Sequence, residues 1–234
     1  MYPSDLLHDV IRYGLVVSAL LLALVFFGYG RGGAGRGYLW FSMAVALDAL
    51  RHLLVLFLPQ GELLTFYADF DLLLRAFLLL TGVRLLTGGS ASGLLRWLPL
   101  LALIWLVFCH LRFDAEPLCR QLPGTLLLVT AHIFLALFFW RARDQKRPTG
   151  FVLAGIGFLA ISLLWTIQPL ARGSDWSGWH FASYQVLYLL ISAGLILALY
   201  QSERLRADFA SEVQERALMR VLRSRRRVVQ LREW

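Results

Sequence analysis

The sequence predicts an all-α, multi-pass membrane protein, and three observations lead to this fold class. Of the 234 residues, 59% are hydrophobic and only 16% are charged, which lies outside the range of soluble globular domains. The apolar residues recur in separate runs of about 18 to 24 residues, the length that a helix needs to cross about 30 Å of hydrocarbon. Runs such as "LVVSALLLALVFF" at 15–27 are apolar on every side, whereas the strands of a transmembrane barrel alternate in polarity.

Seven spans are predicted, together with a polar tail. Their boundaries are 10–30, 38–58, 63–86, 94–111, 122–140, 150–170 and 181–200. The chain therefore divides into a seven-helix transmembrane domain over 1–200 and a basic cytoplasmic helix over 201–234. The first span is retained as a helix rather than a cleaved signal peptide, because Asp5, His8 and Asp9 stand where such a peptide carries positive charges.

The arginines orient the spans. The loops "RGGAGRG" after span one and "RARDQKRP" after span five are basic, and Arg84 and Arg96 frame the connection after span three. The positive-inside rule places these loops in the cytoplasm, with the amino terminus outside and the carboxyl terminus inside. The net charge of +8 is then explained by attraction to anionic lipids of the inner leaflet. No nucleic-acid partner is predicted.

Ionisable residues inside spans two and three are the strongest functional signal. Each costs about 3 kcal/mol at the centre of a bilayer by insertion scales. The short connection "PQGE" makes the two spans an antiparallel hairpin, in which residues at equal depth are expected to meet. This register predicts a ladder of salt bridges in which Asp48 meets Arg75, Arg51 meets Asp71 and His52 meets Asp69.

Two interpretations of the ladder remain open. It either fixes the register of the hairpin or lines a ligand cavity or an ion path, and intramembrane ionisable clusters favour the second. His132, midway along span five, either joins this cluster or is an ordinary core histidine. Gln168 and Gln185, on the outer halves of the last two spans, are further candidates for an outward-facing pocket.

No cofactor, metal site or catalytic motif is predicted. Retinal requires a lysine within a span, and Lys146 lies in a cytoplasmic loop. The histidines are not clustered as metal-binding motifs require. Cys109 and Cys119 lie at the outer edge of span four and in the following loop, where they either form a disulfide or remain unrelated thiols.

The tail is predicted to continue span seven as one helix, because no proline or glycine follows Gly194. Its apolar residues recur every four positions, at Leu205, Phe209, Val213, Ala217 and Val221. This stripe predicts a partner helix, most simply that of a second copy in a homodimer. The alternative is a basic amphipathic helix on the inner leaflet, held by "RSRRR" at 223–227.

Taken together, the architecture resembles the multi-span sensor modules at the amino termini of bacterial histidine kinases and diguanylate cyclases. The shared features are seven spans, an outer amino terminus, charges in spans two and three and a seventh span that continues into a charged helix. The resemblance implies a sensor in the bacterial inner membrane and a downstream kinase or cyclase domain. The tail itself carries no phosphate-accepting histidine and no cyclase signature.

The function expected from these features is sensory signal transduction, in which a small or lipophilic ligand, or a membrane state, acts on the outer-half polar cluster. The signal would pass through span seven to the cytoplasmic helix. The alternative is a small-molecule or proton-coupled transporter that uses Asp48, Asp71 and Arg75 as its relay, although no internal repeat of the kind found in transporters is visible.

Overall fold

The computed structural model describes residues 3–32, 35–58, 61–87, 93–112, 117–141, 148–167 and 176–232, and its regular elements there are all α-helices. In chain order the helices are α1 Pro3–Arg31, α2 Gly37–Phe57, α3 Glu62–Thr87, α4 Gly93–Arg112, α5 Pro117–Arg141, α6 Gly150–Ile167 and α7 Trp176–Arg232. Each predicted span corresponds to one helix, so the all-α prediction is confirmed. The largest difference in helix starts is at α1, which begins seven residues before its predicted span, and α5 and α7 each begin five residues before theirs.

In the part of the chain that the structure describes, five helices are long and apolar enough to cross a membrane. These segments are Asp9–Arg31, Gly37–Phe57, Gln121–Arg141, Gly150–Ile167 and Phe181–Ala217. Large apolar side chains also cover the outside of the described bundle, among them Val17, Leu24, Leu163 and Val186, and an apolar surface of this extent is unsuited to water. These features indicate a multi-pass membrane protein. That α3 and α4 also cross the membrane remains a prediction.

Six of the helices form a closed ring. Following the helix contacts around the bundle gives the order α1, α2, α3, α5, α6, α7 and back to α1. In the described part of the chain, α4 lies outside this ring and packs only on α3 and α5. The main hydrophobic core draws on all six ring helices, whereas a small separate cluster of Leu73, Ala102 and Leu106 attaches α4 to α3.

Aromatic side chains fill the core at the end of the ring where α1 ends and α2 begins. Phe26, Phe41, Phe139 and Phe158 are all fully buried. The ring centroid of Phe158 lies 6.2 Å from that of Phe26 and 5.7 Å from that of Phe139, distances typical of favourable aromatic pairs. Beside them, the hydroxyl of Tyr29 donates to the carbonyl of Leu195 on α7 over 2.6 Å. This end of the ring is therefore tightly packed and ties α7 to α1.

Helices α6 and α7 approach each other so closely that only glycine fits at their crossing. A Cβ atom at Gly150 would lie 2.1 Å from the carbonyl oxygen of Gly194 and 2.5 Å from the backbone nitrogen of Ala198. Both are backbone atoms, which cannot move aside as a flexible side chain can. Small residues that allow such close backbone contact are characteristic of helix pairs in membranes.

We expect Gly150→Ala to destabilise the protein, because the added methyl group would force α6 and α7 apart. Overpacking of this kind costs about 1 to 3 kcal/mol, and thermal unfolding in detergent would measure the loss. Gly28→Ala is the matched control, since a Cβ at Gly28 meets nothing within 4 Å. Equal stability of the two variants would contradict the close crossing.

Candidate functional site: a buried ionic cluster

A buried ion pair between α2 and α3 is the centre of the candidate site. Nη1 of Arg75 donates a hydrogen bond to Oδ1 of Asp48, and this is the pair that the hairpin register predicted. Both residues are only 4% exposed. Each charge therefore offsets the desolvation of the other, and removing one would leave an uncompensated buried charge.

Arg75 has a second carboxylate partner on its own helix. Its Nε lies 2.8 Å from Oδ2 of Asp71, one turn earlier on α3, and Asp71 is 1% exposed. The contact is an ion pair without the alignment of a hydrogen bond. A single guanidinium thus compensates two buried carboxylates, one from each helix of the hairpin.

The predicted pairing of Arg51 with Asp71 is wrong. Among the described residues no ion pair joins them, and Arg75 takes the place expected for Arg51. The reason is local geometry: side chains on a helix lean toward its amino terminus, so the long side chain at position 75 reaches back over position 71 on its way to Asp48. Arg51 itself is half-buried.

Helix α7 joins the cluster through a tyrosine that the sequence analysis did not identify. The hydroxyl of Tyr188 donates to Oδ2 of Asp48 over 2.6 Å, and Tyr188 is buried. Tyr184, one turn earlier, is also buried, and its ring packs against those of Tyr188 and Trp165. Tyrosines are common at membrane interfaces, so a single tyrosine near the end of a span does not by itself indicate a buried site. The spacing of Tyr184 and Tyr188, four residues apart within one span, was the sequence signal that could have identified this part of the cluster.

Two further aromatic contacts complete the cluster. His52 lies one turn after Asp48 on α2, with its Nε2 3.6 Å from Oδ1 of the carboxylate, and its ring meets that of Phe181 on α7 edge to face at 5.7 Å. The guanidinium carbon of Arg75 lies 5.7 Å from the ring centroid of Trp165 on α6, within the range of a cation–π contact. The cluster therefore contacts α2, α3, α6 and α7.

Asp69 belongs to a second polar cluster, so its predicted pairing with His52 is wrong. Its Oδ2 lies 3.3 Å from Nε2 of His110 on α4, and its Oδ1 accepts a hydrogen bond from Nε2 of Gln121 on α5 over 2.6 Å. Residues two apart on a helix point to nearly opposite sides. Asp71 lies on the same face of α3 as Arg75. Asp69 therefore lies on the opposite face, where it contacts α4 and α5. Neither His110 nor Gln121 was identified from the sequence.

A small cavity separates the ionic cluster from His132. Its lining residues are Ala44, Val45, Asp48, Arg75, Leu79, Leu128, His132, Phe158 and Tyr188. The cavity volume is about 10 Å³, close to the space of a single water molecule. His132 is buried, and its Nδ1 lies 2.7 Å from the carbonyl oxygen of Leu128. The structure thus places His132 beside the cluster, without a direct hydrogen bond to it.

The remaining sequence predictions lie beside the cluster or outside the described residues. Gln185 is half-buried on α7 and packs against α1, where its amide reaches within 2.4 Å of the position of a Cβ at Gly14. Gln168 lies outside the described residues. Cys109 is buried, but the side chain of Cys119 is not among those described, so their disulfide stays a prediction.

These groups are suited to holding helices together and to exchanging hydrogen bonds. The cluster combines two carboxylates, a guanidinium and a phenolic hydroxyl that donates to one of the carboxylates. Within the part of the chain that the structure describes, no group of three or more His, Cys, Asp or Glu side chains is placed to hold a metal ion.

The apolar helices and the buried charges place the chain in the class of multi-pass helical membrane proteins, with a polar cluster inside its ring of helices. Comparisons with protein-family models, with curated proteins and with solved structures give no match to this chain. Its function is therefore argued from the site alone.

We expect Arg75→Gln to destabilise the protein more than Asp48→Asn. Loss of the guanidinium leaves two buried carboxylates, Asp48 and Asp71, without their ion-pair partner, whereas loss of the Asp48 charge leaves Arg75 paired with Asp71. Removing one partner of a buried pair costs about 3 to 5 kcal/mol, measurable by thermal unfolding in detergent.

The control for this comparison is Arg216→Gln, which breaks the exposed pair with Glu212 on the same helical spacing and should cost less than about 1 kcal/mol. A larger loss for Asp48→Asn than for Arg75→Gln would contradict the arrangement of two carboxylates around one guanidinium.

Proposed function

We propose that this chain is a sensory module of the bacterial inner membrane, in which the ionic cluster controls the position of α7. The observation that carries the proposal is the 2.6 Å hydrogen bond from Tyr188 to Asp48. It connects a buried charge, whose state a ligand or the membrane can alter, to the helix that continues to Arg232. A stimulus that breaks or forms this bond would bias α7 between two packings.

The geometry favours long-range transmission along α7. Helix α7 is continuous from Trp176 to Arg232, and Phe209 lies roughly 30 Å beyond Tyr188 at 1.5 Å per residue. A continuous helix transmits a shift or rotation along its length, since its backbone hydrogen bonds resist local bending. The stimulus would be a small or lipophilic ligand, or a membrane state, that has different affinities for the two packings.

The proposed topology has seven spans, with the amino terminus outside and the carboxyl terminus in the cytoplasm. Helix α3 carries charges in its middle, but Asp71, Arg75 and Asp69 are all buried and partnered inside the bundle, as charges in spans require. Helix α4 has a shorter apolar stretch, Leu100–Leu111. Its 20 residues nevertheless reach about 30 Å.

Partners are proposed for the part of α7 beyond the bundle. Leu205, Phe209 and Val213 are exposed there and lie one turn apart. We infer that they contact the same helix of a second copy near the membrane, and that the basic end at 223–227 binds anionic lipids. A kinase or cyclase output domain is the proposed recipient of the signal.

The topology predicts opposite accessibilities for two engineered cysteines. In a background with both native cysteines replaced by alanine, Gly61→Cys should react with a membrane-impermeant maleimide on intact cells. Gln145→Cys should react only after permeabilisation. Position 61 suits this test because a Cβ there meets nothing within 4 Å. Labelling of position 145 from outside would invert the topology.

The signalling mechanism predicts that the extension of α7 reports the state of the cluster. A spin label at position 209, in protein reconstituted in bilayers, should change its mobility or its distance to a second copy in Asp48→Asn and in Tyr188→Phe. Both substitutions alter the bond that joins the cluster to α7, and coupled sites must respond to each other.

Asp69→Asn is the matched control, because it makes the same chemical change in the second cluster, whose described contacts are on α4 and α5. It should leave the label's spectrum unchanged. Identical spectra for the wild type and for the Asp48 and Tyr188 variants, in folded protein, would contradict the signalling mechanism and favour the alternative function as a transporter.

A further inference from the structure

The cavity between the ionic cluster and His132 is bordered by polar groups from four helices. Asp48 lies on α2, Arg75 on α3, His132 on α5 and Tyr188 on α7, and the remaining lining residues are apolar. The volume of about 10 Å³ matches one water molecule, which needs about 10 to 15 Å³ and two to four polar partners. A larger ligand does not fit in this packing.

The donors and acceptors around the cavity can be assigned from their contacts. A carbonyl oxygen only accepts hydrogen bonds, so Nδ1 of His132 must donate to the carbonyl of Leu128. In the uncharged ring, Nε2 is then an acceptor. Arg75 supplies donors, and its buried Nη2 has no hydrogen-bond partner among the described residues. Tyr188 gives its proton to Asp48, which leaves its oxygen free to accept.

We propose that the cavity is a binding site for one ordered water molecule that links His132 to the ionic cluster. The water accepts a hydrogen bond from Arg75 and donates one to Nε2 of His132 and one to Asp48 or Tyr188. An ion is a poor occupant, because Arg75 would repel a cation in the cavity and Asp48 would repel an anion. Water can accept the bond from Arg75 and donate the other two, and it carries no charge.

The bound water would extend the hydrogen-bonded network to α5. Without it the direct polar contacts of the cluster join α2, α3 and α7, and His132 bonds only within its own helix in the described structure. With it, four helices of the ring share one network. The water site is inferred from the size of the cavity and from the polar groups that line it, so its test does not depend on the signalling proposal.

Solid-state NMR of the whole protein in bilayers tests this site. Histidine labelled with ¹⁵N, assigned by comparison with His132→Gln, should show Nδ1 protonated and Nε2 unprotonated at position 132. In a water-edited experiment, magnetisation should pass from water to the His132 ring. Absence of this transfer in the wild type, while a water-exposed histidine shows it, would overturn the proposal.

Two alanines of α2 provide matched variants. Ala44 lines the cavity and Ala49 does not, although both are 1% exposed. Ala44→Val should abolish the transfer from water to His132, and Ala49→Val should retain it. Loss in both variants, or retention in both, would overturn the assignment of the water to this cavity. If Ala44→Val does not fold, Val45→Ile narrows the same cavity and replaces it in the comparison.

Discussion

The guanidinium of Arg75 is the constraint on which the rest of the structure depends. It is buried among apolar helices, where a charge is tolerated only with compensating partners. Asp48 supplies one carboxylate from α2 and Asp71 another from α3, so the two helices must keep their relative depth and rotation. Tyr188 and Trp165 then bring α7 and α6 against the same group. One charged side chain therefore sets the registry of four helices.

The bundle holds α7 by different means at two levels along the helix. At one end, the backbone contact between Gly150 and Gly194, together with the bond from Tyr29 to Leu195, fixes α7 by close packing. Farther along, α7 is held by the hydroxyl of Tyr188. Packed cores resist displacement, whereas a hydrogen bond can exchange one partner for another at small cost. Movement of α7 is thus expected to pivot about the glycine crossing, so that Tyr188 and Phe209, which lie on opposite sides of it on one continuous helix, are displaced in opposite directions.

The sequence was sufficient to predict the all-helical fold and the pair Asp48–Arg75, because span length and the short connection after span two determine depth. Depth does not determine the rotation of a helix about its axis. This is why Arg51 and Asp69 were given the wrong partners, although the spacing of Asp69 and Asp71 already placed them on opposite sides. Tyr188 was missed because its contact joins residues 140 positions apart, and neither hydropathy nor loop length reports such a contact.

The closeness of Asp48 and Arg75 in the chain has a consequence for biogenesis. Helices emerge from the ribosome in order, and α2 and α3 are complete long before α7 is made. A hairpin that enters the bilayer with its opposite charges already paired avoids the cost of inserting each charge alone. Tyr188 is synthesised later and adds its hydroxyl to a carboxylate already held by Arg75. The charged hairpin can therefore act as the template on which the last helix docks.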